Sequence, residues 1–204
     1  MRIAEIEVFN LRHEYAPGRG FRYAGGICTG RLTSLVRVTA DNGMVGWGSA
    51  YSHPDLIRIV IEEHLKPQLL GDDPTEVETL WTKMYNATRW YGRKGAAVSA
   101  LGALDVAFWD LRGKHTGKSV RALLGSDRRE VPGYASALLW QDDLANLTEE
   151  AGRHVEHGFR RMKMRLGRGW EYDSAALSAV RKGAGAKADI MCDGSMRYSV
   201  ESAE

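Results

Sequence analysis

Close to the start of the chain, Ile6 and Val8 alternate with Glu5 and Glu7. That period of two predicts a half-buried strand with Ala4, Ile6 and Val8 on its inner face. Apolar runs over residues 32–40 and 44–49 flank Asp41, Asn42 and Gly43. Asn-Gly between such runs predicts a hairpin, because both residues accept positive φ. The chain therefore opens as a small antiparallel meander. Three helices are predicted next. Pro54 fits the first turn of one that carries Ile57, Val60, Ile61 and Leu65 and ends at Gly71. Pro74 opens another, with Val77, Leu80, Trp81, Met84 and Tyr85 in one stripe at helical spacing, the mark of a core face. The third covers residues 96–113, with Leu101, Leu104, Phe108 and Leu111 on one side and many alanines for close packing.

Beyond Gly125 the pattern changes. Strands predicted at 131–138, 159–166 and 188–195 enclose helices predicted at 144–157 and 172–182, and the strand starts recur at a nearly constant interval. Regular alternation of this kind signals β/α units on a parallel sheet, most economically a barrel. Its middle strand is unusual. Buried parallel strands read as continuous apolar runs, yet here Arg161, Lys163 and Arg165 alternate with Met162, Met164 and Leu166, so the cations share one face. Two readings stay open. The strand is either an edge with one solvated face, or a barrel strand whose Lys163 and Arg165 point inward near its carboxyl end, where barrel active sites sit.

Asp193 occupies the matching late position of the next predicted strand. A carboxylate there makes a one-ligand contribution to a hard-cation site, although Asp193-Gly194 is also an ordinary turn pair. Between the first two strands, residues 15–30 hold Gly18, Gly20, Gly25, Gly26 and Gly30 with Arg19, Arg22 and Tyr23. This is a surface loop or a mobile lid whose arginines reach an anion.

Composition narrows the partners. The 28 Lys and Arg against 26 Asp and Glu give a net charge of +2, with mixed signs and no long basic runs, which argues against nucleic acid. With 44% hydrophobic and 26% charged residues, the 204-residue chain is globular rather than disordered or collagen-like. Two distant cysteines, Cys28 and Cys192, point to a reducing, cytoplasmic setting. Neither a signal-peptide core nor an uninterrupted apolar run of about 18 residues occurs, so no membrane partner is expected.

The stretch Ala100-Leu-Gly-Ala-Leu-Asp-Val-Ala-Phe-Trp-Asp-Leu-Arg-Gly-Lys114, followed by Ser119-Val120 and Leu123-Leu124-Gly125, resembles the signature segment of the mandelate racemase/muconate lactonizing enzyme group of the enolase superfamily. The order of meander, helices, Lys-x-Arg strand and Asp strand is similar to that family along the whole chain. The resemblance implies an α+β capping domain over residues 1–125. Over 126–204 it implies the first three β/α units of a modified TIM-type barrel, with Mg²⁺ at the barrel mouth. Family members bind a substrate carboxylate to the metal, remove the proton α to it and hold the resulting enediolate on the cation. So weak an acid needs a divalent cation and cationic side chains to stabilise the charge that develops.

By the same resemblance, Lys163 stands at the first position of the family's basic pair, where it would hold the substrate carboxylate, and Asp193 matches the first metal ligand. Ser195 replaces the Asn that often follows. Arg165 departs from the pattern, because many members place a lysine base there and arginine stays protonated at almost any working pH. Either Lys163 takes the proton, or a histidine on a later strand does while Arg165 serves electrostatics. Residues 15–30 and 49–53 correspond to two loops that set substrate choice, which makes Arg22, Tyr23 and His53 candidates for contacting a polar substrate. His53 reads equally well as a helix-entry residue before Pro54.

An arginine-bearing lid suits a polyhydroxy acid. The expected reaction is dehydration of a sugar acid, an aldonate or aldarate, to a 2-keto-3-deoxy acid, with a racemase or cycloisomerase of the same family as the alternative. Barrels of this type typically need ~250 residues, so the chain is expected to be a cap plus roughly the first third of a barrel. A non-catalytic fragment without the later metal ligands and base is the reading from a different class. A homo-oligomer is expected, since an open three-strand sheet exposes an edge.

Overall fold

The structure is a computed structural model that describes residues 1–18, 20–23, 26–90 and 92–203. Arg19 and Gly25 of the glycine-rich stretch lie outside the described residues. Two compact units divide the chain, Met1–Glu14 with Gly30–Arg128 and Tyr15–Thr29 with Arg129–Glu204. In chain order the first strands are β1 (Ile3–Glu14), the short pair β2 (Phe21–Tyr23) and β3 (Gly26–Cys28), β4 (Gly30–Ala40) and β5 (Val45–Ala50).

The first unit is built on the antiparallel sheet β1-β4-β5. The turn between β4 and β5 closes with Gly43 at φ 80° donating its N–H to the Ala40 carbonyl at 2.9 Å. Its inner face carries Ile3, Ile6, Val36 and Val38, all 2% exposed or less. The expected inward position of Ala4 is corrected. A bulge in β1 between Ile3 and Glu5 shifts the register, so Ile3 turns inward and Ala4 is exposed.

Helices cover this face. The segment predicted from Pro54 runs as α1 (Pro54–Ile59), a π-helical stretch (Val60–Leu65) and α2 (Lys66–Leu69). Pro67 has no N–H to give, and the Lys66 N–H reaches back to the Ile61 carbonyl, five residues away. The stretch still buries Ile57, Ile61, Leu65 and Leu69 completely. Next, α3 (Val77–Ala87) starts later than Pro74, because the Asp73 carboxylate ties the intervening turn to Thr75. Trp81 is also corrected: it is 42% exposed and stacks on Tyr85 at 4.9 Å instead of joining the core.

The long helix α4 (Ala96–Thr116), followed by α5 (Val120–Leu123), explains its own sequence. A Cβ at Gly46 or Gly48 of β5 would run into the Ala107 or Ala103 carbonyl, so helix and strand meet backbone to backbone. Asp110 fixes that contact, accepting the Trp47 N–H at 2.9 Å while Lys114 bridges Asp110 at 2.7 Å and the Val45 carbonyl at 2.8 Å. Leu101, Leu104, Phe108 and Leu111 are buried as predicted, each stabilising the fold by about 1.5–3 kcal/mol.

The second unit alternates β6 (Ala135–Ser136), α6 (Leu144–Glu156), β7 (Arg161–Arg165), α7 (Trp170–Ala184), β8 (Asp189–Asp193) and α8 (Val200–Ala203). Its strands form a parallel sheet in the order β6-β7-β8. Met162 and Met164 are buried with Leu147, Ala151, Ala176 and Val180 of α6 and α7. The first strand is much shorter than the predicted 131–138. Pro132 cannot donate to a ladder, and Leu138 is buried at φ 55°, which turns the chain out of the sheet. Part of the glycine-rich stretch is regular structure rather than bare loop, because β2 and β3 pair as an antiparallel hairpin and Arg22 bridges to Trp140.

Candidate functional site

Because β7 lies between β6 and β8, the edge-strand reading of its alternating cations is excluded. Its two methionines face the helices, which sends Lys163 and Arg165 to the opposite face of the sheet. Both converge on Asp193, the residue in register with Arg165 at the end of β8. Lys163 Nζ lies 3.1 Å and an Arg165 guanidinium nitrogen 2.7 Å from the same oxygen, Asp193 Oδ2. The three side chains remain 24% to 30% exposed, so solvent and small solutes reach them. Two cations against one carboxylate leave a net positive charge that favours an incoming anion.

The other carboxylate oxygen, Asp193 Oδ1, accepts the Ser195 N–H at 2.9 Å. That bond is the main reason the Asp193 carboxyl sits below its ordinary value; burial opposes the shift, and the Lys163 hydrogen bond and the Arg165 and Lys163 charges add to it. The turn that supplies the Ser195 N–H is strained, with Ser195 and Met196 both in the left-handed region at φ 54° and 60°. Ser195 is 6% exposed, and its hydroxyl oxygen finds no hydrogen-bond partner among the described residues.

This donor set fits a hard divalent cation as part of a larger shell. Asp193 offers an ionised oxygen, and the orphaned Ser195 hydroxyl adds a neutral one in the same turn. Mg²⁺ uses one or two carboxylates and completes its shell with water and substrate oxygens. Among the described residues no group of three or more His, Cys, Asp or Glu comes together.

The remaining candidates fall in different units. Arg22 and Tyr23 sit on the hairpin of the second unit, whereas His53 belongs to the first, exposed at the N-cap of α1 without a side-chain cap bond. Arg22 pairs with Asp142 at 3.6 Å, and Arg168 reaches the same residue at 3.1 Å. Sequence reasoning missed Trp140, Asp142, Arg168 and Arg197, which gather with Arg22 and Tyr23 at the carboxyl ends of the strands. A usable signal existed: each follows a predicted strand end by a few residues.

Asp173 was missed too. Its buried carboxylate accepts the Gly167 N–H at 2.9 Å, the Arg168 N–H at 3.2 Å and the Tyr198 hydroxyl at 3.0 Å, fixing the turn after β7. The Tyr198 hydroxyl is pushed up in turn, first by burial and then by its bond to this carboxylate.

Known proteins are similar to most of this chain. The sequence profile of the mandelate racemase/muconate lactonizing enzyme N-terminal domain matches residues 7–125, and that of the enolase C-terminal domain-like family matches residues 146–204. Arabinonate dehydratase of Saccharolobus solfataricus is 35% identical over 171 residues, covering 81% of this chain and 46% of its own. D-galactarolactone cycloisomerase of Agrobacterium fabrum is 34% identical over 177 residues, covering 85% of this chain and 47% of its own. A racemase from Streptomyces coelicolor A3(2), solved with bound magnesium, superposes with a TM-score of 0.91 at 29% identity, over 98% of this chain and 57% of that one. The chain thus spans about half the length of the curated relatives it matches. A capping domain of antiparallel sheet and helices, continued by the opening strands of a β/α barrel, places the chain in the mandelate racemase/muconate lactonizing enzyme family of the enolase superfamily.

Proposed function

We propose that this protein removes the proton α to the carboxylate of a sugar acid, as the first step of dehydration to a 2-keto-3-deoxy acid. Residues 1–125 serve as the cap and 126–204 as the first β/α units of the barrel. The observation that carries the reading is the convergence of Lys163 and Arg165 on Asp193 at the carboxyl ends of adjacent parallel strands. The named dehydratase and cycloisomerase relatives support the substrate class.

Each residue of the cluster has a distinct task. Arg165 acts as the fixed positive charge beside the reacting carboxylate, guanidinium groups as a class being poor bases. The Lys163 Nζ is assigned to accept the proton on C2. Asp193 is the residue that would hold Mg²⁺, with the Ser195 hydroxyl beside it. Bound there, the ion supplies Lewis-acid stabilisation of charge on the substrate carboxylate. In the dehydration the C2–H bond breaks, a C2–C3 double bond forms as the C3–O bond breaks, and hydroxide leaves with one proton as water. Arg22 and Tyr23, on the hairpin of the second unit, are assigned to the end of the substrate away from the reacting carboxylate.

The test is exchange of the C2 proton for deuterium, followed by NMR in D₂O with Mg²⁺ and a library of acid sugars. Exchange by the unaltered protein, lost at least 100-fold in Lys163→Ala and retained in part in Arg165→Lys, is the expected result. Undiminished exchange in Lys163→Ala would remove Lys163 from the base role. Formation of a keto acid separates dehydration from racemisation and cycloisomerisation, which give none.

A further inference from the structure

The second unit contains a cavity of about 280 Å³ bounded by Arg22, Tyr23, Trp140, Arg168 and Arg197. Trp140, Arg168 and Arg197 each follow one of the strands β6, β7 and β8 by three or four residues. The cavity is therefore at the end of the sheet where Arg165 and Asp193 meet. Its remaining wall is the β2–β3 hairpin, tied down by the bridge from Arg22 to Trp140.

Three guanidinium groups face this space, and Asp142, paired with Arg22 and Arg168, offsets one of them. The excess of about two positive charges stays in contact with solvent, Arg22 and Arg197 both being exposed, and raises the local concentration of anions at the cavity. The groups are also held ready. Arg168 lies over the Tyr172 ring at 4.3 Å and Arg197 over the Trp140 ring at 6.0 Å. Trp140 is anchored by its indole N–H to the Leu166 carbonyl at 3.2 Å, and the Tyr172 hydroxyl exchanges bonds of 2.9 Å with the Gln141 backbone. Arg168 already donates one N–H to Asp142 at 3.1 Å, whereas Arg197, lying over Trp140, presents a planar fork of the shape that binds oxyanions in pairs of parallel hydrogen bonds.

We propose that this cavity binds a second anionic group at the far end of the substrate. The preferred substrate is then a sugar acid with two carboxylates, an aldarate, rather than a monocarboxylic aldonate. This rests on the assignment of Lys163, Arg165 and Asp193 to the first carboxylate. One molecule lies along the sheet's carboxyl end, its reacting carboxylate at that cluster and its distal one between Arg168 and Arg197. Arg22 and Tyr23 close the cavity over it.

Calorimetric titration with Mg²⁺ present tests the idea on a panel of hexaric acids, the matching hexonic acids and their 6-phosphates. Hexarates binding at least ten-fold tighter than hexonates, with the ratio falling to near one in Arg197→Gln and in Arg168→Gln, is the expected result. Arg197→Lys, which keeps the charge and loses the fork, should retain part of the preference. Arg197 is exposed, so its replacement leaves the fold intact, which a thermal melt verifies. Equal binding of hexarates and hexonates, a preference untouched by the arginine variants, a preference for the 6-phosphates over hexarates, or no binding of any acid would each overturn the proposal. The reaction reading fails separately: a hexarate preference with no C2 proton exchange removes the chemistry and leaves the anion site standing.

Discussion

The family signature around residues 100–114 is a record of backbone approach more than of chemistry. Ala103 and Ala107 are small because β5 comes within contact of their carbonyls, and Gly46 and Gly48 are glycines because any Cβ would occupy those oxygens. Asp110 and Lys114 hold strand and helix together through the Trp47 N–H and the Val45 carbonyl. A single methyl group at this contact forces α4 away from the sheet. Gly48→Ala should therefore lower stability by about 1–3 kcal/mol, read as an earlier midpoint in urea unfolding. An unchanged midpoint would mean that the helix has room to spare.

At the scale of elements, the turn before α3 depends on one carboxylate. Asp73 accepts the Thr75 N–H at 2.9 Å and the Thr75 hydroxyl at 2.7 Å. The N–H is the leading cause of its lowered pKa; burial opposes it, and the hydroxyl, the chain's N-terminal ammonium and Arg2 reinforce it. A pKa lower in the folded state means that Asp73 contributes its full stability above the unfolded value of about 3.9 and loses it as the pH falls further. The stability difference between the unaltered protein and Asp73→Asn should hold constant from about pH 7 to 5 and shrink below about 4. A difference that widens in acid would contradict this.

The elements themselves were largely legible, because α4, α6, α7 and the meander carry strong apolar periods. What the sequence hid was decided by single contacts. A bulge moved Ile3 into the place expected for Ala4, Pro67 forced a π-helical stretch, and Leu138 at positive φ shortened β6. The alternation in β7 revealed that its cations share a face, but only the position of β7 between two strands decides which way that face points. The arginine cavity escaped notice because its members come from four separate segments, although Trp140, Arg168 and Arg197 recur at nearly the interval of the strands they follow.

Over the whole molecule, the chain leaves the first unit at Glu14, returns at Gly30 and leaves again after Arg128. The last of these passages, residues 125–134, is exposed and has no regular structure. Arg121 holds its carbonyls at Asp127 and Arg128, 3.0 and 2.5 Å away. Trypsin should cut first after Arg129, before any helix is attacked, as mass spectrometry of early digestion products would report. First cuts inside α6 or α7 would contradict the assignment. The earlier passage, around the β2–β3 hairpin, has a consequence for the order of assembly. During synthesis this hairpin emerges long before Trp140, Arg168 and Arg197, so it must wait, paired only with itself, while most of the chain is made. A two-stranded ribbon alone is marginal in water, and closing so long a loop is slow. The second unit can therefore gain its sheet and helices early, while its arginine wall closes last.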